Sequence, residues 1–167
     1  SLSRPLGLLC IFYPLWLCGS TQVIPNGRIT IALLVVMLGA GALLALRPQW
    51  KEMKAFIGRE WKFLLLSEVV YVGVFAVWVY IKAHDPAIEH TEQPMDFAFL
   101  TTSALSSYFP PSDPWLSGER VSYYYFGYLI MGGLSTITGI ASSVSYNLSM
   151  ALIPAMAAAA VFGVSSN

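Results

Sequence analysis

Residues 29–46 read ITIALLVVMLGAGALLAL, eighteen positions in a row without a charge. A helix rises about 1.5 Å per residue, so this run approaches the roughly 20 residues needed to cross a bilayer. Lipid offers no water to satisfy backbone N–H and C=O groups, so a run embedded in it has to be helical. The composition around it agrees. The chain has 167 residues, 56% hydrophobic and 11% charged, where a soluble domain carries about 25% charged residues. Its net charge is zero, which gives no reason to expect nucleic acid as a partner. The lipid bilayer is the partner that composition does indicate.

Working outward, Leu6–Ile24, Phe63–Ile81, Val121–Ile140 and Val144–Val164 are further apolar runs of crossing length. The expected fold is an all-α integral membrane protein with about five transmembrane helices. A long outer loop would carry a short surface helix. Three organisational blocks follow: residues 1–81 with three spans, a loop at 82–120, and two more spans at 121–167. Between the second and third spans, residues 47–62 read RPQWKEMKAFIGREWK, with five bases against two acids. The positive-inside rule places this connection in the cytoplasm, and its interleaved Trp50, Phe56 and Trp61 suit a short amphipathic helix along the headgroups. The N-terminus is then inside the cytoplasmic membrane, residues 82–120 are outside, and five crossings put the C-terminus outside. The chain opens on Ser1, which suits either processing or a piece of a longer protein. Cys10 and Cys18 are about two turns apart on one helix, roughly 12 Å, too far to pair.

Reactive groups concentrate in residues 84–128, HDPAIEHTEQPMDFAFLTTSALSSYFPPSDPWLSGERVSYYYFGY, which hold six of the nine acids and both histidines. Asp85, Glu89, Glu92 and Asp96 with His84 and His90 could bind a divalent cation or exchange protons. They could equally be a solvated acidic surface. Pro94-Met95-Asp96 reads as a helix start, with a helix over 95–107, and Asp96 would suit its N-terminal dipole even without any chemistry. The tyrosines at 123–125 either form an interfacial belt or hold a sugar or a phosphate headgroup. Inside the third span, Glu68 is an intramembrane acid and so a functional candidate, unless it reaches back to Arg59 or Lys62.

Three blocks go further than spacing. Glu92 to Leu100 (EQPMDFAFL), Phe109 to Gly118 (FPPSDPWLSG) and Tyr123 to Gly127 (YYYFG) resemble, in order and spacing, the YYY-domain membrane proteins of archaea and Chloroflexi. The resemblance covers residues 84–150. That family is in turn similar to the GT-C membrane glycosyltransferases, which use a polyprenyl-phosphate sugar donor and carry an acid on the first outer loop. The similarity implies that Asp96 is the catalytic acid or a metal ligand, with Glu92 behind it. It implies that Tyr123, Tyr124, Tyr125 and Arg120 bind substrate.

The chain departs from that pattern in having fewer spans than the GT-C core, and no later donor-phosphate arginine follows. It therefore reads as the N-terminal part of a GT-C-like transferase. The alternative is a non-catalytic subunit packed against other membrane subunits of a respiratory or photosynthetic complex. A transporter would rest on Glu68 alone and lacks inverted repeats.

Overall fold

The computed structural model describes residues 2–165, and all of its regular elements are helical. The order is α1 (Ser3–Ser20), α2 (Arg28–Leu46), a single 3₁₀ turn (Arg47–Gln49), α3 (Trp50–His84), α4 (Gln93–Leu105), α5 (Phe126–Thr138) and α6 (Ser142–Ser165). Two helical runs are long and apolar enough to cross a membrane, Arg28–His84 with hydropathy 2.7 and Ser142–Ser165 with 1.9.

Helix α1 stops at Ser20, short of the expected Ile24. Gln22 takes a positive φ of 58°, and the Thr21 hydroxyl donates to the carbonyls of Leu17 and Cys18. The last turn is thereby closed before Pro25-Asn26-Gly27 reverses the chain. Both cysteines of α1 are free. The basic connection at 47–62 is not a separate helix lying across the bilayer. Pro48 sits at the start of the 3₁₀ turn, where its missing N–H costs nothing. Beyond it no proline interrupts the chain until Pro86, so residues 50–84 run on as one helix of 35 residues.

The fourth expected crossing is the main departure. Only 13 of its residues are helical, Phe126–Thr138, which is about 20 Å against a hydrocarbon core of about 30 Å. Its start is delayed because Val121 is still paired, donating to the Pro111 carbonyl at 2.9 Å. That pairing closes a small hairpin. Asp113 accepts from the amides of Trp115 and Leu116, Gly118 turns at φ 89°, and Asp113 bonds Glu119 across the hairpin. At the other end Gly139 caps α5 in the left-handed region at φ 73°. Both ends of α5 meet the α1–α2 turn region. Phe126 lies edge-on to Trp16, and the Thr136 carbonyl accepts from Arg28 at 3.1 Å. So α5 runs back along α1, from Trp16 past Phe12, and falls short of a full crossing.

Helix α6 runs antiparallel to α3. Asn147 donates to the Pro86 carbonyl near one end, and Phe162 stacks on Phe63 at 5.6 Å near the other. Residue 165 therefore ends on the same side as the basic segment, not opposite to it as five crossings would require. The expected surface helix also changes character. Helix α4 is packed full length beside α5, so closely that a Cβ on Gly132 would stand 2.8 Å from the Leu100 carbonyl. Phe12, Leu15, Ile31, Phe109 and Leu129 form one core cluster, and Leu100, Met131 and Tyr146 form a second.

Candidate functional site

Gly132 sets the register of the site. Because it touches Leu100 and Ala104, α4 and α5 run parallel and side by side. One turn back along each helix stand Asp96 and Tyr128, and they meet. The Tyr128 hydroxyl donates to Asp96 Oδ1 at 2.5 Å. Burial, then this bond, pushes the Tyr128 hydroxyl well above its ordinary pKa, so it remains a proton donor to the carboxylate. Asp96 is half-buried in the first turn of α4, where the helix dipole favours a carboxylate.

Asp96 forms the polar end of a cleft of about 290 Å³ between α4, α5 and α6, with Tyr124, Tyr128 and Tyr146 around it and Leu100, Met131, Met150 and Ile153 as apolar wall. Tyr146 was not visible as a site residue in the sequence, being one polar-tipped aromatic in an Ala- and Ser-rich span. It is 4% exposed, its ring stands edge-on to Phe97, and its hydroxyl is buried with no hydrogen-bond partner.

The three tyrosines that the sequence groups together separate in space. Tyr123 and Tyr124 face the Asp96 side. The Tyr123 hydroxyl donates to that of Tyr124 at 2.7 Å, Tyr124 stacks toward Tyr128, and Tyr123 stacks on Phe99 at 5.3 Å. The bond to Tyr124 and partial desolvation raise the Tyr123 pKa to about 12. Tyr125 points the other way. Its oxygen accepts from Trp16 Nε1 at 2.9 Å and its ring packs against Phe109 in the first core cluster. That role is structural support for the α1 face.

The remaining candidates lie outside the cleft. Arg120 is exposed and its guanidinium donates to the Pro110 carbonyl at 3.1 Å, bracing the hairpin. Glu92 is exposed just ahead of α4 and offers its backbone carbonyl to the Asp96 amide. His90 faces Asp85 at 3.2 Å, and His84 is within 2.8 Å of the Tyr80 carbonyl on its own helix. Among the described residues no three His, Cys, Asp or Glu side chains gather as a metal set. Asp96 is the one carboxylate in the cleft. A single carboxylate among neutral hydroxyls does not make a divalent-cation site by itself.

Glu68 is paired, but with neither Arg59 nor Lys62. Its carboxylate bonds the Arg4 guanidinium of α1, which also lies 3.9 Å over the Tyr71 ring. Arg59 instead bonds its neighbour Glu60 at 2.8 Å.

A bundle of long apolar helices carrying a carboxylate–tyrosine cleft defines a membrane protein. The chain belongs to the family described as "Uncharacterized membrane protein (DUF2298)", whose model covers residues 10–167. No curated protein and no solved structure matches it.

Proposed function

We propose that this membrane protein takes part in group transfer to a hydroxyl, as the N-terminal part of a GT-C-like glycosyltransferase with a polyprenyl-phosphate sugar donor. The observation that carries the reading is Asp96, a half-buried carboxylate oriented by Tyr128 at the polar end of an otherwise apolar cleft. A carboxylate so placed can act as general base. The acceptor hydroxyl gives its proton to Asp96 as its oxygen bonds the anomeric carbon. The bond from that carbon to the donor phosphate breaks, and the electron pair leaves with the phosphate. Tyr123 and Tyr124 line the approach, and Glu92 and Arg120 flank it. In this reading the basic segment 47–62 faces the cytoplasm and the Asp96 side faces outward.

Asp96→Asn preserves shape and removes the base. Transfer of a lipid-linked sugar should fall by about 10²- to 10⁴-fold, the usual contribution of a positioned acid or base. Unchanged transfer would remove Asp96 from the chemistry.

The second reading is a non-catalytic subunit of a larger membrane complex. Every residue from 35 to 52 is exposed, a length of helix that a partner subunit would cover as readily as lipid does. Co-purification of a stable partner with a catalytically silent chain would favour that role.

A further inference from the structure

The Tyr146 hydroxyl is an anomaly. It is a donor and acceptor buried at 4% residue exposure, without a partner, in the wall of the cleft that holds Asp96. Leaving such a group unpaired carries a desolvation cost, and a ligand in the cleft would remove it once the wall shifts to open the Tyr146 oxygen, which is closed off as the cleft stands. The rest of the cleft says which ligand. None of its lining side chains is cationic, so a phosphate head would sit as an anion beside the Asp96 carboxylate. An ammonium head would pair with Asp96, but burying it against this apolar wall costs desolvation, and with nothing to accept with it would leave the Tyr146 proton unpaired. A hydroxyl can do both. The apolar wall of Leu100, Met150 and Ile153 continues from the polar end, and Ile153, 51% exposed on α6, marks the side open to the bilayer.

We infer that the cleft binds a neutral long-chain alcohol, whose hydroxyl donates to Asp96 and accepts from Tyr146 while its chain lies along α6. This deepens the transfer reading and rests on it in making that alcohol the acceptor. The donor phosphate then has to be held outside this cleft.

The test uses the full chain in nanodiscs with a diazirine-bearing hexadecanol as photo-crosslinking probe. Hexadecanol should compete for cleft labelling at about tenfold lower concentration than hexadecylamine or hexadecyl phosphate, the ratio expected when a buried partner is left unpaired. Tyr146→Phe should weaken alcohol binding about fivefold, with no fall in melting temperature, because it deletes an unpaired buried hydroxyl. Asp96→Asn should weaken it about tenfold. The inference is overturned if amine or phosphate competes best, if Tyr146→Phe leaves binding unchanged, or if the variant lowers the melting temperature along with binding. Selective alcohol binding without sugar transfer to it would sink the transferase reading alone. Transfer to a lipid that does not compete for the cleft would sink the inference alone.

Discussion

The two halves of the molecule use the same kinds of residue to opposite ends. Around α4 and α5, glycine lets backbones touch. Gly132 meets the Leu100 carbonyl and the Ala104 amide, and Gly133 faces the Phe12 ring. In the arm formed by α2 and the start of α3, Gly39, Gly41 and Gly58 have nothing within 4 Å of a would-be Cβ. Leucines behave in the same divided way. Leu100 and Leu129 are buried, whereas Leu33, Leu43 and Leu44 are more than half exposed. In water the second pattern would be an error of design. In lipid it is ordinary, because acyl chains are as apolar as leucine and reward no particular packing. Apolarity therefore marks what enters the membrane, and close backbone contact marks where the protein has built something.

The sharpest way to break this contrast is a matched pair of alanines. Gly132→Ala places a Cβ 2.8 Å from a carbonyl and 2.9 Å from an amide, and backbone cannot swing aside as a side chain can. Overpacking of this kind costs about 1–3 kcal/mol. Gly39→Ala meets open space and should be neutral, or stabilise by about 0.5–1 kcal/mol through helix propensity. Thermal melts in one detergent would compare them, and equal effects would mean the two halves do not differ in packing.

A smaller effect concerns how the arm is tied to the body. Arg4 opens α1 and Glu68 lies little more than a turn inside the third apolar run. In this reading the pair sits near the membrane interface, 29% and 54% exposed, where water and headgroups screen the attraction. Glu68→Gln should cost less than about 1 kcal/mol, with Arg4 still over Tyr71. A drop of several kcal/mol would show the charge pair, not the α3–α6 packing, to be the joint.

The smallest effect is confined to high pH. Tyr123 titrates at about 12 because its hydroxyl donates to Tyr124. A raised folded-state value means the folded chain holds this proton longer than the unfolded one. The resulting contribution is fully present below about pH 10 and is lost as pH rises toward 12. Tyr124→Phe should move the Tyr123 absorbance titration back toward 10 and remove the loss of stability between about pH 10 and 12. A titration that stays at 12 would assign the shift to something other than Tyr124.

Much of this fold is legible from residues alone. The runs at 29–46 and 144–164 correspond to α2 and α6, and Pro94-Met95-Asp96 marks the start of α4, within two residues of the observed Gln93. Where the reading stops short, tertiary contact decides. Hydropathy cannot tell where a helix begins inside an apolar run, so α5 is read as a full span when Val121 is still paired with Pro111. Spacing can offer Glu68 only neighbours on its own helix, yet its partner is 64 residues away in sequence. Three consecutive tyrosines read as one unit, although the turn into α5 sends Tyr125 to Trp16 and keeps Tyr123 and Tyr124 by Asp96. Tyr146 carries no motif, and only the wall it completes singles it out.

The turn between α1 and α2 has a reach beyond its size. Asn26 donates its amide to the Ser107 carbonyl at 2.7 Å, and its side chain to those of Ser103 at 3.2 Å and Ser106 at 2.9 Å. These bonds grip α4 at the end opposite Asp96, about 15 Å away along the axis. A tilt of about ten degrees at Asn26 would carry the carboxylate through more than about 2 Å, enough to part it from Tyr128. The aim of the reactive group is thus set twice, along α5 by the contact at Gly132 and at the far end of its helix by a residue that never approaches the cleft.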